Sequence, residues 1–265
     1  MERSAPRANR LYAFKCGTER VTWGLLDAEH PTPDAAVDIP HFRYVITHPS
    51  GVVMYDTGGD PTMQFEAYKR VPAEYLKEYD LTLGRDEVLD AQLAAIGLSP
   101  HDVSDVALSH LHWDHAGCLG LLTRARLHLQ KAEHTWAMMP CTAHRVGYIP
   151  DDYVHATLWN LVDGDFDLYG DGAIVAVSTP GHTPGHQSLI VRLSGRTVLI
   201  TGDAAYDRDM MRSGKYSNFY WDYESLVNSR NRLLNLLEEY SAELVVTHDR
   251  KYLENVRLAP EQWYE

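Results

Sequence analysis

The stretch 109–117 places three histidines and one aspartate within six consecutive positions. These residues are His110, His112, Asp114 and His115. Imidazole and carboxylate groups are the ligands that borderline divalent metals such as zinc prefer. Four unpaired polar groups at this density would be costly to bury unless a cation satisfied them. The stretch therefore predicts a metal site, and the flanking chain must fold so that this site can form.

The spacing of these four residues allows them to be shared between two metals. In an extended conformation His110, His112 and Asp114 share one face, whereas His115 points away. A tight turn after Trp113 would bring His115 back towards the others. One metal would then take His110 and His112, and a second would take Asp114 and His115. The alternative is a polar loop with incidental histidines, and candidate ligands further along the chain argue against it.

Four short apolar segments each lead into a candidate ligand. They are 106–109 before His110, 174–178 before the loop that holds His186, 198–201 before Asp203, and 244–247 before His248. The ends of strands in packed sheets can converge on one edge, and open α/β architectures bind ligands at such ends. The pattern therefore predicts a site that is assembled at one edge of a sheet.

The remaining segments give ordinary strand and helix signals. Strands are predicted at 11–15, 42–47, 52–55, 105–109, 126–130, 173–177, 187–193, 197–201 and 243–247. Amphipathic patterns predict helices at 86–96, 131–139 and 224–240. Three aromatic-rich connections, 61–83, 138–160 and 206–223, have no clean periodicity. We expect these connections to be irregular and to line a pocket for an apolar group.

The motif His110-x-His112-x-Asp114-His115 resembles the metal motif of the metallo-β-lactamase superfamily. The segments 185–186, 202–203 and 247–249 resemble further motifs of that superfamily, so that the likeness covers nearly the whole chain. The resemblance implies a single domain, 1–265, with an α/β fold. In that fold two mixed β-sheets pack face to face between flanking helices, as an αββα sandwich.

A narrower resemblance is to the quorum-quenching N-acyl homoserine lactonases. It depends on the segment 179–188, on Asp203-Ala-Ala-Tyr206 and on the ending 248–261. Pyridoxolactonases and other lactone hydrolases have similar motifs. The implied activity is opening of the lactone ring of N-acyl homoserine lactones by a metal-bridging hydroxide. The alternatives on the same site are another small lactone such as pyridoxolactone, an organophosphate or a thioester.

The resemblance also implies a ligand set for two divalent metal ions per chain, with zinc expected. His110, His112 and His186 would hold one ion, Asp114, His115 and His248 the other, and Asp203 would bridge both. His182 is the alternative to His186, which is favoured because it directly precedes a strand and fits the family spacing. The remaining histidines of the fourteen, His41 among them, are interpreted as surface, turn or packing residues.

Three further roles are predicted around the metals. Tyr206 would donate a hydrogen bond to the substrate carbonyl oxygen as negative charge builds, and a core tyrosine is the alternative. Asp114 would also pass a proton to the leaving alkoxide. Asp56, at the end of a predicted strand, would hold a ligating histidine in one tautomer, and a simple turn aspartate is the alternative.

Composition restricts the partners and the compartment. The formal net charge of −13 argues against nucleic acid and anionic membranes as partners. Three cysteines are too few, and odd in number, for a disulfide framework, which favours a reducing compartment. The start of the chain has no apolar run of signal-peptide length, and no segment is long enough to cross a membrane. We expect a cytoplasmic homodimer that acts on a small lactone with an apolar acyl chain. The rival class is a metal-binding or redox protein without hydrolytic activity.

Overall fold

Two β-sheets form the centre of the computed structural model, which describes residues 7–27, 29–141 and 145–265. The start of the chain, on which the expectation of no leader depends, and His144 lie outside these residues. The strands are β1 (Arg10–Thr22), β2 (Ala36–His48), β3 (Gly51–Tyr55), β4 (Leu81–Thr82), β5 (Asp105–Ala107), β6 (Arg126–Gln130), β7 (Trp159–Val162), β8 (Phe166–Asp167), β9 (Ile174–Ser178), β10 (Gln187–Arg192), β11 (Thr197–Ile200) and β12 (Glu243–Val245). The α-helices are α1 (Trp23–Leu26), α2 (Met63–Glu66), α3 (Leu89–Ala95), α4 (Trp113–Ala116), α5 (Lys131–Ala137), α6 (Arg208–Ser213) and α7 (Tyr223–Tyr240).

The first sheet has the strand order β4-β1-β2-β3-β5-β6-β7. Its first half is antiparallel, since β1 pairs with β2 and β4, and β2 forms a hairpin with β3. Its second half is parallel, from β3 through β5 and β6 to β7. Parallel neighbours need crossover connections, and α3 and α5 lie in two of them. This sheet is therefore mixed, as the resemblance implied.

The second sheet has the order β12-β11-β10-β9-β8. Strands β8 to β11 are antiparallel, and β12 joins β11 in parallel through the crossover helix α7. Strands β9, β11 and β12 consequently run in the same direction, and their carboxyl ends lie at one edge. The residues that follow these three strands contain candidate ligands, as the repeated strand-then-ligand pattern predicted.

The main core lies between the two sheets. Alternate residues of β1 to β3 pack there against alternate residues of β9 to β12, and the buried members include Phe42, Tyr44, Leu189 and Ile200. The outer face of the first sheet packs against α3 and α5, and that of the second sheet packs against α6 and α7. Helices therefore cover both outer faces, and the predicted αββα sandwich is confirmed.

The predictions for individual elements differ from the structure mainly in the aromatic-rich connections. Strand β1 extends to Thr22, well beyond the predicted 11–15, because β2 pairs with it along most of its length. The connection 138–160 is not irregular throughout, since Trp159 begins β7, and 206–223 contains α6. These elements have weak local patterns, and tertiary pairing and packing decide their conformation. Among the described residues no helix has the length and apolar character that crossing a membrane requires.

Candidate metal centre

Three strands deliver six of the predicted metal ligands to one place. His110 and His112 follow β5, and the short helix α4 carries Asp114 and His115. Asp203 lies in a turn after β11, and His248 follows β12. All six side chains are buried, and each belongs to a group of histidine and carboxylate atoms close enough to share a metal ion. The structure therefore brings these six candidate ligands together.

The first donor group consists of three histidines and one aspartate. The Nε2 atom of His182 lies 3.2 Å from Nε2 of His110 and 3.1 Å from Nδ1 of His112. Its distance to Oδ2 of Asp203 is 3.5 Å. Burial lowers the pKa values of all three histidines, which favours their neutral, metal-binding form. Three neutral imidazoles whose nitrogens face one another fit a cation placed between them.

The second donor group consists of two histidines and two aspartates. The Nε2 atom of His115 lies 3.1 Å from Oδ2 of Asp114 and 3.2 Å from Oδ1 of Asp203. The Nε2 atom of His248 lies 3.5 Å from Oδ2 of Asp114 and 3.1 Å from Oδ1 of Asp203. Asp203 thus has one carboxylate oxygen towards each group, the arrangement expected of a bridging ligand.

Two observations test whether this set fits divalent metal ions. The Nε2 atom of His115 and the Oδ1 atom of Asp203 are buried without a hydrogen-bond partner among the described residues. Unsatisfied buried polar atoms are rare in folded proteins, and these two face the centre of the second group. Nitrogen and oxygen donors in sets of four also match the ligand types and number that zinc takes. The residues present therefore fit two divalent ions joined by Asp203.

Backbone carbonyl groups hold the Nδ1 atoms of two candidate ligands, His182 and His248. The Nδ1 atom of His182 donates to the carbonyl oxygen of Phe219 at 3.0 Å. The Nδ1 atom of His248 likewise donates to the carbonyl oxygen of Pro40 at 3.0 Å. Each bond fixes the tautomer in which Nε2 keeps a free lone pair for a metal. The local structure therefore prepares both rings for ligation.

Asp56 lies beside His115, one of the candidate ligands. Its Oδ2 atom lies 2.8 Å from Nδ1 of His115, and its Oδ1 atom accepts the backbone N–H of Ser109 at 2.6 Å. Asp56 follows β3 with φ of 55°, a left-handed conformation that a non-glycine residue rarely adopts. Burial raises the pKa of Asp56, and contact with His115 opposes that rise. The carboxyl group is thus oriented towards the ring of His115.

The geometry corrects the choice between His186 and His182. The sequence favoured His186, but among the described residues it belongs to none of the groups that could hold a metal. Its Nε2 atom accepts the backbone N–H of Asp203 at 3.0 Å, and its Nδ1 atom donates to the carbonyl oxygen of Thr179 at 3.1 Å. Both ring nitrogens are therefore occupied by the protein. We assign the ligand position to His182, and His186 anchors the turn that carries Asp203.

The ring of His186 packs closely against the turn that carries Asp203, and the spacing of residues in the sequence does not reveal this contact. Gly202 precedes Asp203 with φ of 55°, and a Cβ atom there would lie 2.6 Å from Nε2 of His186. Only glycine permits this close approach of the ring to the backbone. The repeated Thr-Pro-Gly-His units at 179–182 and 183–186 offer two equivalent histidines in sequence, and only the loop conformation distinguishes them.

A cavity of about 310 Å³ opens beside the second donor group. Asp114, Asp203, His248 and Tyr206 line it together with apolar side chains, which are Val21, Leu25, Ile39, Trp113 and Phe219. The ring of Tyr206 stacks on that of His248 at a centroid distance of 5.4 Å. Burial and the charge of Asp203 raise the pKa of Tyr206 well above its usual range, so the phenol keeps its proton. Tyr206 is a hydrogen-bond donor in the wall of this cavity.

A second cavity of about 340 Å³ adjoins the first donor group, and both cavities include His112 and Phe219 in their walls. The predicted aromatic-rich connections contribute to it. The aromatic residues concerned are Tyr75, Tyr148, Phe219, Tyr220 and Trp221. Phe65 and Tyr68, from the first connection, are instead 74% and 64% exposed and do not line either cavity. The expectation of a partly aromatic pocket is therefore met for only some of these residues.

Two buried polar residues near the site were not predicted. His41 lies in β2 with its Nε2 atom 3.7 Å from Oδ2 of Asp114, and the carboxyl oxygen Oε2 of Glu19, in β1, is 3.2 Å from the same nitrogen. Neither residue belongs to a motif. Their approach to the site depends on the pairing of β1 with β2, in which Glu19 lies opposite Ile39. A local sequence pattern gives no signal for such a contact.

A family model of the metallo-beta-lactamase superfamily matches residues 38–248, which is more than half of the chain. This protein belongs to the metallo-β-lactamase superfamily. The resemblance that the motif at 110–115 indicated is therefore confirmed. The match includes the donor residues of both groups.

Curated members of the superfamily with similar sequences are N-acyl homoserine lactonases. The lactonase AttM of Rhizobium radiobacter is 34% identical over 264 residues, which cover 95% of this chain and 97% of that protein. The lactonase AiiA of Bacillus thuringiensis subsp. kurstaki is 25% identical over 233 residues, which cover 87% of this chain and 89% of AiiA. Similarity in both cases extends over most of each chain.

Solved structures of the superfamily show the same fold. A quorum-quenching N-acyl homoserine lactone lactonase has a TM-score of 0.83 at 22% identity, with 98% of this chain and 100% of that chain covered. An N-acyl homoserine lactone hydrolase with N-hexanoyl-L-homoserine bound at its catalytic metal center has a TM-score of 0.82 at 24% identity. That match covers 97% of this chain and 99% of the other chain. At identities of 22% and 24%, these matches are evidence for the fold of this metallo-β-lactamase superfamily member.

Proposed function

We propose that this protein is a metal-dependent N-acyl homoserine lactonase that opens the lactone ring to give the N-acyl homoserine. The observation that carries the proposal is the pair of donor groups joined by Asp203. Four of these donors, His112, Asp114, Asp203 and His248, line one cavity. The 34% identity to AttM, along nearly the full length of both chains, supports the choice of substrate. Hydrolysis of such lactones by this chain would make it a quorum-quenching enzyme.

Two divalent cations at this site, with zinc proposed, would supply a water nucleophile at neutral pH and polarise the lactone carbonyl. In the proposal His110, His112 and His182 hold one cation, Asp114, His115 and His248 hold the other, and Asp203 holds both. Asp56 keeps His115 in the tautomer that leaves Nε2 free. The protein's own contribution is to fix these donors and to shape the cavity around the substrate.

Tyr206 and Asp114 are the side chains that we assign to the reacting atoms. The phenol of Tyr206 is protonated and lines the cavity, so it can donate to the carbonyl oxygen as negative charge develops there. The carboxylate of Asp114 lines the same cavity, so it can accept the proton that the attacking water loses and pass it to the ring oxygen as the bond between that oxygen and the carbonyl carbon breaks. Each side chain thus meets a different oxygen of the lactone.

The apolar part of the first cavity suits the acyl chain. Val21, Leu25 and Ile39 line it together with the candidate ligands. Burial of an alkyl chain against such side chains contributes roughly 25 cal/mol per Å² of apolar surface. A lactone with an acyl substituent can therefore place its ring at the metal centre and its chain along this wall.

The test measures ring-opening rates and metal content on the same purified sample. The panel contains N-acyl homoserine lactones of several chain lengths, pyridoxolactone, an organophosphate, a glutathione thioester and a penicillin. We expect the acyl homoserine lactones to be opened fastest, with little or no penicillin hydrolysis. Full activity without bound transition metal would contradict the proposed mechanism, and efficient penicillin hydrolysis with inert acyl homoserine lactones would contradict the proposed substrate.

Zinc as the metal, a cytoplasmic location, a homodimer and a single domain at 1–265 stay predictions from the sequence. A small lactone rather than nucleic acid or a membrane is the proposed partner, in keeping with the net charge of −13. Elemental analysis of the purified protein and its molar mass in solution would test the metal and the dimer.

A further inference from the structure

Glu19 is a buried carboxyl group in the wall of the first cavity that the proposed chemistry does not use. It is 8% exposed and lines the cavity with Asp114, Asp203 and His248. Burial and the nearby charge of Asp114 raise the pKa of Glu19 well above its usual range, which reflects the cost of placing another acid here. An apolar side chain would fill this space without that cost. The position of Glu19 therefore calls for a ligand-binding explanation.

His41 fixes the carboxyl group from behind. Its Nε2 atom is 3.2 Å from Oε2 of Glu19, and its ring packs edge-on against both His248 and Trp113 at centroid distances of 5.2 and 5.5 Å. His41 is 1% exposed and is not among the residues that line the cavity. Glu19 is thus the member of the pair that faces the cavity, and His41 is the support that orients it.

Strand β1 orders the groups along the cavity wall. Four successive residues at the end of β1, Glu19 to Thr22, line the cavity, and Glu19 is the buried one among them. The contact of His41 with Asp114 ties Glu19 to the metal-site end, and Val21 and Leu25 continue the wall as apolar surface. This side of the cavity therefore presents the metal donors first, a hydrogen-bond acceptor next and an apolar wall last.

An N-acyl homoserine lactone has the matching order of groups. Its amide nitrogen is bonded to the ring carbon next to the lactone carbonyl, and the acyl chain begins beyond the amide. Of the other acidic residues lining the cavity, Asp114 and Asp203 are candidate metal ligands, and Asp80 is exposed. Glu19 is therefore the buried acid at this wall that remains for recognition of the substrate.

We propose that a carboxyl oxygen of Glu19 accepts the amide N–H of the substrate and thereby makes this site selective for lactones that carry an acylamino group. This inference rests on the proposed lactonase function. Glu19 acts as a specificity residue, whereas His41 is a positioning residue that holds the carboxyl group. The same cavity would take an alkyl lactone of equal length, but without this hydrogen bond.

The test compares two substrates on the zinc-loaded full chain. One is N-hexanoyl homoserine lactone, and the other is α-heptyl-γ-butyrolactone, which has a chain of matching length on the same ring carbon and no amide. The variants are Glu19→Leu, which deletes the acceptor, and Glu19→Gln, which keeps an acceptor of the same length. The readouts are kcat/KM for each substrate and metal content for each variant.

We expect Glu19→Leu to lower kcat/KM for the acyl homoserine lactone about tenfold to a hundredfold, the usual effect of losing a hydrogen bond to a charged or buried group. The change for the alkyl lactone should stay within about twofold, because it has no N–H to bind. Glu19→Gln should retain part of the selectivity, and both variants should keep their metals.

Several results would overturn the inference. Equal losses for the two lactones, loss of metal in either variant, or unchanged kcat/KM for the acyl homoserine lactone would each show that Glu19 does not recognise the amide. If wild-type protein opens alkyl lactones but no acyl homoserine lactone, both the inference and the proposed substrate fail. If the wild type opens both lactones and the variants lose kcat/KM equally for both, the inference about Glu19 fails while the proposed lactonase function stands.

Discussion

The Nε2 atom of His182 lies 3.2 Å from that of His110 and 3.5 Å from Oδ2 of Asp203. His186 has both ring nitrogens bonded to protein groups. We therefore expect His182→Ala to reduce the metal content from about two ions per chain to about one, since one of four donors is lost. Elemental analysis and isothermal titration with zinc after chelation would measure the change.

His186→Ala is the matched comparison for that experiment. It leaves the buried backbone N–H of Asp203 without an acceptor, which should lower the free energy of unfolding by about 1–3 kcal/mol. Its zinc affinity should fall less than that of His182→Ala. Loss of zinc from the His186 variant, with two ions retained in the His182 variant, would reverse our ligand assignment.

Asp203 should control both metal positions at once. Its Oδ1 atom faces His115 and His248 at 3.2 and 3.1 Å, and its Oδ2 atom faces His182. Asp203→Asn removes the negative charge from both groups, so we expect both zinc affinities to fall. The loss should exceed the roughly 10- to 100-fold that groups outside the ligand shell contribute. Stepwise zinc titration with a competing chelator would resolve the two sites.

Asp105→Asn supplies a control for the loss of a buried carboxylate. Asp105 is 6% exposed and pairs with His128 at 2.8 Å, at the start of β5 and away from the candidate ligands at its other end. The variant should lower stability but keep both zinc ions. If Asp203→Asn weakened only one site, Asp203 would not be the bridging ligand.

Asp56→Asn tests the hydrogen bond behind His115. Asparagine tolerates left-handed backbone better than most residues, so the φ of 55° at this position adds little strain to the variant. The neutral amide holds the ring less firmly than a carboxylate does, and we expect zinc affinity to fall by about 10- to 100-fold at the second group. If the zinc affinity of the variant equals that of the wild type, Asp56 is a turn residue without a role in metal binding.

The sequence predicted the parts of this site that local chemistry determines. His110, His112, Asp114 and His115 lie within six consecutive positions, so their grouping does not depend on how the rest of the chain folds. Asp203 and His248 follow apolar strands, and strand direction brought them to the same edge. The αββα sandwich was implied by resemblance, whereas periodicity alone gave a list of strands without their order.

The residues that sequence reasoning missed depend on contacts between distant segments. His182 and His186 occupy equivalent places in two Thr-Pro-Gly-His units. They differ in the folded chain because the backbone N–H of Asp203 donates to the ring of His186. Glu19 and His41 meet because β1 pairs with β2 in a register, shifted between Lys15 and Thr18, that places Glu19 opposite Ile39. Such a register is set by the two strands together, and neither strand has a motif that marks its polar residue as part of a site.

Tyr206→Phe separates catalysis from metal binding. The phenol lines the cavity, while its ring stacks on His248 at 5.4 Å and does not belong to a donor group. Phenylalanine keeps the ring and its packing, so we expect metal content and thermal stability to stay near those of the wild type. The loss should fall on kcat, because a hydrogen bond to the carbonyl oxygen strengthens as charge develops.

The expected size of that loss follows from how the oxyanion is stabilised. Removing one oxyanion donor costs roughly 10²–10³ in rate where the donor acts alone. Here the metal ions would share the task, so we expect about tenfold to a hundredfold in kcat with KM little changed. Tyr153→Phe, a buried phenol that donates to the carbonyl oxygen of Ala137 at 3.2 Å, is the control and should keep full kcat.

Asp114→Asn completes this comparison, because Asp114 combines two proposed roles. Its Oδ2 atom faces His115 and His248, so the variant should lose metal affinity and kcat together, unlike Tyr206→Phe. Measurement of kcat, KM and metal content on N-hexanoyl homoserine lactone distinguishes the two residues. Wild-type kcat and KM in Tyr206→Phe would assign the phenol to packing. Loss of metal in that variant would mean that Tyr206 supports His248, and the metal ions alone would then have to stabilise the oxyanion.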